Sequence, residues 1–417
     1  MREGYSQVEK SNKTIWIINQ YASHLVTRHE ELSKSFAAQG YHVAVITSSF
    51  HHGKREYMFE EPIAYKELCD GVTYVYLHSG PAYQNNGAGR IFNMLDFARL
   101  VGKYQKVIAE KIGAPKYVIA SSAPPFVWEA GYKVSKRFKA KFIVEFRDIW
   151  PLSLVDVQGV SPKHPLVKVL EVVEKRAYKR ADAIVSTMPY AWKHVIEVAD
   201  VPREKVHWMA NGINVSEVEH DLHSDQELPA DLRDYLSSHW CCVYIGSIVK
   251  SECLDFLLKG FSEVHDPDIF FAVIGEGHEK ENIMSLAEEL KIPNIKFFPA
   301  IDKHLIPKAL ELASAAAAVH EELPIYQYGL SMNKLNDYLA SGIPTVFACD
   351  VDNIVRDAGH FSIPMKDEKL LAETIRKIRA LDADEIKKLS RSAKTIIHND
   401  YDYPEIGKKY LHMMETL

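Results

Sequence analysis

The segment YGLSMNKLNDYLASGIPTV, residues 328–346, sets Ser331, Asn333, Lys334 and Asp337 at the entry of a short polar helix that runs into a Gly-x-Pro and an apolar strand. With the helix starting near Met332, Ser331 stands at the N-cap, where the unpaired N–H groups of the first turn attract an anion. Lys334 adds a full positive charge beside it. Asn333 and Asp337, four residues apart, share one helix face, and Asp337 lies about 6 Å along the axis, where a carboxylate accepts hydrogen bonds from vicinal ribose hydroxyls. A nucleoside diphosphate fits that spacing; a solvated helix with a serine cap fits it too. Two glycine turns accompany the helix. FFAVIGEGHEKENI puts Gly275, Glu276 and Gly277 between a strand and a helix, where backbone approaches a flat ligand such as a nucleotide base. VYIGSIVKSECLDFLL offers Gly246, Ser247 and Lys250 to a pyrophosphate. All three features belong to the second half of the chain.

The elements that must position these residues alternate throughout. In the first half TIWIINQ, HVAVIT, VTYVYL, YVIASS, KFIVEF and AIVSTM read as strands, with HEELSKSFAAQG and PFVWEAGYKVSKRF as helices between them. A second series starts at CCVYIGS and continues through IFFAVIGEG, IKFFPA, AAAAVH and IPTVFA, separated by helical segments ending with NKLNDYLAS. Each series is a doubly wound α/β sheet. The polar stretch HDLHSDQELPADLRD, around 220–234, reads as a linker with a short helix and as the hinge. No G-x-G-x-x-G follows a strand, GAGRIF at 87–92 lies in a polar loop, and no G-x-x-x-x-G-K-[ST] occurs. Hydride transfer from a nicotinamide and P-loop chemistry are thereby disfavoured.

At 417 residues the chain exceeds the size of one growing core, so two domains are expected. Hydrophobic content of 47% and charged content of 25% are those of a globular protein. No run reaches the length of a membrane-spanning helix and the start MREGYSQVEKSNK has no apolar leader, which predicts a cytoplasmic protein. Five cysteines without C-x-x-C spacing read as reduced, mostly buried thiols. Residues 1–200 carry 27 basic and 20 acidic side chains, a balance of +7, and the remainder carries 23 and 36, a balance of −13. Two surfaces of unlike composition explain this, as does a basic part that approaches an anionic membrane. Residues 91–113, with Arg99, Lys103, Lys106 and Lys111 among apolar positions, suit either a core-facing helix or a membrane-facing one. Nucleic acid is disfavoured for want of a basic arm or a recognition signature. DVD at 350–352 reads as a capped loop, and the histidines form no ligand constellation, so no metal is expected.

The order strand-YIGS-helix, strand-IGEG-helix, then YGLSMNKLNDYLASGIPTV resembles the donor half of family 4 retaining glycosyltransferases of the GT-B architecture, two Rossmann-like domains facing a central cleft. NQYASHLVTRHEELSKSFAAQGYHVAVIT, SSAPPFV, VEFRDIWPLSLV and MANGINV resemble the acceptor half of its bacterial surface-polysaccharide branch, so the likeness covers nearly the whole chain. It implies an acceptor domain at 1–215, a donor domain at 216–399, and a helix at 400–417 that returns to the first domain. It implies retaining transfer of a sugar from a nucleotide sugar, UDP-linked, to a glycan or polyprenyl-linked glycan, without a cofactor or metal. Asp337 then stands at the second carboxylate of the family's Glu-x7-Glu motif, and Gly329 stands at the first, which it lacks. Ser331, Asn333 and Lys334 take over donor contacts, and Ser247 and Glu252 replace the family's basic pair, leaving Lys250 as the cation. In EFRDIWP, Arg147 and Asp148 fall where many relatives carry His-Asp: they hold sugar or phosphate oxygens and orient a hydroxyl, or they form a buried ion pair. Arg28 is the further acceptor candidate. A nucleotide-sugar 2-epimerase of the same architecture and a non-catalytic nucleotide-sugar-binding subunit are the alternatives.

Overall fold

The computed structural model describes residues 13–22, 27–85 and 87–417. The amino-terminal stretch and part of the loop NQYASHLVT lie outside the described residues. The chain forms two compact units: one runs to Ala210 and takes up Ile406–Leu417, and the other is Asn211–Glu405. The crossings therefore fall a few residues from the 215/216 and 399/400 boundaries read from the sequence. Ile213 is the reason: its N–H donates to Tyr401 O at 2.8 Å and its carbonyl accepts from Tyr403 N–H at 3.0 Å, so both passing segments are bound together inside the second unit. The stretch at 220–234 is not the crossing either, since it joins the helices Val215–Leu222 and Ala230–Ser238 within that unit.

The first unit holds strands β1 (Thr14–Ile18), β2 (His42–Ser48), β3 (Phe50–His51), β4 (Glu56–Tyr57), β5 (Ile63–Cys69), β6 (Val72–Leu77), β7 (Tyr117–Ser121), β8 (Lys141–Phe146), β9 (Ala183–Ser186) and β10 (Val206–Trp208). Its sheet has the order β10-β9-β8-β7-β1-β2-β6-β5. All pairs are parallel except β5 with β6. Every residue of β1 and β7 is buried, as expected for strands covered on both faces by helices. The antiparallel edge β5, with Lys66 and Glu67 inside it, and the small β3–β4 hairpin were not legible in the sequence. Charged, partly exposed edge strands lack the apolar run that marks a central one. GAGRIF proves to be the start of the helix Ala88–Ile112, with Gly87 at its N-cap, rather than a loop. The carboxyl-terminal segment packs on the helix Thr27–Ala38: a side chain on Gly407 would meet Ser35 Oγ at 2.2 Å, and the Tyr410 and Phe36 rings meet edge to face.

The second unit holds β11 (Trp240–Ile245), β12 (Ile269–Ile274), β13 (Ile295–Phe298), β14 (Ala315–Val319), β15 (Thr345–Ala348) and β16 (Phe361–Ile363). They form an all-parallel sheet of order β13-β12-β11-β14-β15-β16. The four alanines of β14 are fully buried, and their small side chains let helices close on both faces. One face is capped by a cluster around Leu335, Tyr338 and Phe347, the other by one around Leu258, Phe271 and Leu371. In each sheet the strand order reverses, between β1 and β7 and between β11 and β14. Ligands of open α/β sheets lie beyond the carboxyl ends of the strands at such points.

Candidate functional site

In the second unit the turn after β11 lies against the turn after β12. Gly246 N–H donates to Ile274 O at 3.0 Å and Ile248 N–H to Glu276 O at 2.9 Å, which extends the strand pairing past both ends. A Cβ on Gly275 would sit 1.9 Å from Gly246 O, and one on Gly277 would sit 1.9 Å from Ile248 O. These two glycines are required by the approach of one turn to the other, a cause the sequence reading did not include. Glu276 is exposed and pairs with Lys280 at 2.6 Å. Ser247 and Lys250 are exposed beside the turn, the Lys250 ammonium without a hydrogen bond or ion pair among the described residues.

The helix Asn333–Ser341 is fixed over the same turn. Leu335, Tyr338 and Leu339 bury one face, and the Tyr338 hydroxyl accepts from Ile245 N–H at 2.8 Å and donates to Ile245 O at 3.2 Å. Met332, not Ser331, is the N-cap, and no side chain caps the helix. Ser331 Oγ accepts instead from Asn211 N–H at 3.3 Å, while Asn336 Nδ2 donates to Asn211 O at 3.0 Å. The first-turn N–H groups thus keep no side-chain cap, and exposed Asn333 stands beside them. Gly329, at φ +100°, ends the short 3-10 helix Pro324–Tyr328.

Lys334 is not an open cation. Its ammonium pairs with Glu252, donates to the Tyr244 hydroxyl at 2.9 Å and lies over the Tyr244 ring, 4.7 Å from the centroid. Burial pulls its pKa down, against the pull of Glu252 upward. Tyr244 is the residue that sequence reasoning passed over, and the pairing of Glu252 with Lys334 is the contact it missed: 82 residues separate the two, and only the fold brings them together. Asp337 is the opposite case. Its carboxylate, partly exposed, has no hydrogen-bond or ion-pair partner among the described residues, and burial raises its pKa to about 6, against the attraction of Lys303.

In the first unit EFRDIWP ends β8 next to the switch point. Asp148 is open to solvent at its rim but crowded by protein, so that desolvation raises its pKa while the Arg147 guanidinium lowers it. Among the described residues no hydrogen bond or ion pair engages its side chain, so the pair Arg147–Asp148 is not a buried bridge. Arg147 Nε donates to Ser122 O at 3.4 Å. The loop is anchored from below by Glu145, which accepts from Arg28 at 2.9 Å and from Ser121 Oγ at 2.8 Å and meets His29 Nε2 at 3.3 Å. Burial pushes Glu145 upward, yet Arg28 and His29 outweigh it and hold the carboxylate well below its usual range. Arg28 is 2% exposed and also donates to Ala210 O at 2.5 Å and Met209 O at 3.1 Å. It is therefore a structural cation, and its reading as an acceptor contact is corrected: full burial leaves it no access to a ligand.

Asp350 pairs with Lys366 at 3.1 Å and Asp352 with Arg356 at 2.8 Å, so both carboxylates of DVD carry ion pairs at the surface. Among the described residues no group of three or more His, Cys, Asp or Glu could hold a metal ion, and no helix is long and apolar enough to cross a membrane. A cavity of about 980 Å³, lined by Trp240, Ile343 and Lys394, opens at the amino ends of β11 and β15. It lies at the far edge of the sheet from the turns, so its size does not mark the chemistry.

The glycosyl transferase 4-like domain family matches residues 25–212. TuaH of Bacillus subtilis (strain 168), provisionally named a teichuronic acid biosynthesis glycosyltransferase, is 30% identical over 181 residues, 43% of either chain. That match spans less than half of its length. WcaI of Escherichia coli (strain K12), provisionally named a colanic acid biosynthesis glycosyl transferase, is 20% identical over 303 residues, 70% of this chain and 72% of that one. Among solved structures, Anabaena HepE in complex with UDP superposes with a TM-score of 0.66 at 13% identity, covering 97% of this chain and 100% of the other. An E. coli trehalose-6-phosphate protein bound with UDP-2-fluoro glucose gives 0.72 at 9% identity, covering 97% and 99%. The glycosyltransferase WaaG of lipopolysaccharide biosynthesis gives 0.63 at 13% identity, covering 96% and 99%. With two sheets, parallel but for the β5 edge, whose switch points both carry candidate polar residues, the chain has the GT-B fold, and its residues 25–212 match the glycosyl transferase 4-like domain family.

Proposed function

We propose that the chain is a retaining glycosyltransferase that moves a sugar from a UDP-linked donor to a hydroxyl of a glycan or polyprenyl-linked glycan during surface-polysaccharide synthesis. The observation that carries this reading is the unpartnered Asp337 carboxylate on the helix that also presents Lys334 over the turn after β11. A carboxylate kept partly buried without a partner is costly to the fold, and ribose hydroxyls supply the missing donors. The names of TuaH and WcaI favour polysaccharide synthesis, and the UDP bound to HepE favours that nucleotide.

In this reading Lys334, Lys250 and the uncapped N–H groups at Asn333 meet the negative charge that develops on the diphosphate as the bond from the anomeric carbon to its oxygen breaks. The acceptor oxygen bonds to the same face of that carbon, and its proton passes to the departing diphosphate. Asp148 orients the acceptor hydroxyl or the donor sugar, and Arg147 holds sugar or phosphate oxygens. Protein cations supply the charge, so transfer proceeds without a divalent metal and persists in chelator. Gly329 favours a second reading, a subunit that binds donor without transferring it.

Calorimetric titration with UDP, GDP and ADP, repeated on Asp337→Ala and Lys334→Ala, tests the donor site. Selective UDP binding weakened by both substitutions is the expected result; no binding, or binding indifferent to both, would sink the reading. Incubation with UDP-sugars and a polyprenyl-linked acceptor then separates a transferase, which releases UDP and a longer glycan, from a subunit that does neither.

A further inference from the structure

We propose that Glu252 competes with the donor's diphosphate for the Lys334 ammonium, so that donor binding exchanges one anionic partner of this lysine for another. The inference rests on the donor-site reading above and deepens it. In the protein without ligand the Lys334 and Glu252 side chains are 13% and 16% exposed, so the pair is screened less than one at the open surface. It lies directly on the turn that the diphosphate would occupy. The Lys334 Nζ is 3.1 Å from the place a Cβ on Gly246 would take, and the Tyr244 hydroxyl that accepts from Lys334 donates to Ser247 O at 2.7 Å. Tyr244 Oη is also 3.4 Å from the Glu252 carboxylate.

The other acids around the turn point elsewhere and have cations of their own. Glu276 pairs with Lys280 at 2.6 Å and Asp255 with Lys259 at 3.2 Å. Glu252 alone among these three takes the lysine that would otherwise face a phosphate. With the carboxylate in place the turn offers a phosphate the charge of Lys250 and a neutralised pair. Once Glu252 releases Lys334, two cations face the ligand. Glu252 ends a surface 3-10 turn, Lys250–Glu252, from which its side chain reaches solvent by rotation. The carboxylate is thus a built-in competitor that lowers donor affinity and hastens release of the nucleoside diphosphate product.

The test is calorimetry of the full-length protein with UDP and with uridine at one ionic strength, comparing wild type, Glu252→Gln, Glu252→Asp and Lys334→Met. Two unit charges near contact at a protein surface interact by more than the free energy of a tenfold change in affinity. Glu252→Gln is therefore expected to bind UDP about tenfold tighter, with uridine affinity unchanged, because uridine has no phosphate to compete with. Glu252→Asp, which keeps the charge, should stay near wild type, and most of the gain should vanish when Glu252→Gln is combined with Lys334→Met. If Glu252 only holds the lysine in place, Glu252→Gln will bind UDP equally or more weakly, and the proposal falls. Equal tightening toward uridine also overturns it. Wild type that binds no nucleotide overturns the donor-site reading and this one together; wild type that binds UDP without tightening in Glu252→Gln overturns this one alone.

Discussion

Asp337 shows how a candidate site residue differs from a scaffold residue in energetic terms. Its folded-state pKa of about 6 lies above the ordinary 3.8, so the folded protein binds its proton more tightly than the unfolded chain does. Stability therefore falls as pH rises between roughly 4 and 6, by about 2–3 kcal/mol in all, and stays lower at neutrality. Asp337→Asn should accordingly raise the melting temperature at pH 7, lose that advantage below about pH 4, and weaken UDP binding. Chemical and thermal denaturation across pH, set beside the titration, checks all three; a variant destabilised at pH 7 would contradict the account. The residue types at 331–337 were enough to single out this helix, because charge and hydrogen-bonding capacity are properties of a side chain alone. Their partners were not readable. Ser331 is taken by Asn211, Lys334 by Glu252 and Arg28 by Glu145, each across more than eighty residues of chain.

At the scale of elements, the central strands announced themselves through apolar runs of five or six residues, and the helices between them through their period. The short strands β10 and β16, three residues each, fell below that signal. Glycine was legible as a turn but not as to cause. Gly275 reads in the sequence like a ligand-binding turn, and the structure gives it to the carbonyl of Gly246, 1.9 Å from where a methyl would stand. Gly275→Ala should thus push the β11 and β12 turns apart and lower stability by about 1–3 kcal/mol, as overpacking against rigid backbone does. The loss should be accompanied by weaker UDP binding, since the turn also seats Lys334. Denaturant titration and calorimetry measure the two effects; a variant unchanged in both would show that the turns yield freely.

For the whole molecule, charge and exposed apolar surface are distributed unevenly. Of the large hydrophobic side chains that stand exposed among the described residues, Phe92, Leu95, Val107, Val157, Val169, Val172 and Trp208 belong to the first unit, against Met284 and Ile386 in the second. Exposed Arg99, Lys103 and Lys106 share the helix of Phe92 and Leu95, and Lys168 and Lys175 that of Val169 and Val172. Under the proposed function, a polyprenyl-linked acceptor would be met at such a surface. The protein is expected to sediment with vesicles containing anionic lipid, to be released as salt rises from about 0.1 to 1 M, and to bind less when Phe92 and Leu95 are replaced by serine. Equal binding to neutral vesicles, or none to either, would remove the membrane from the picture. The sequence by itself determined the two α/β series, the uneven charge and the residue types of the helix Asn333–Ser341, because these follow from local propensity, period and composition. The tertiary structure alone decided which of those residues are already engaged. Burial and partnership depend on contacts between distant segments, and by that criterion Asp337 and Asp148 keep unpaired carboxylates among the described residues, Arg28 is buried against Glu145, and Glu252 is tied to Lys334.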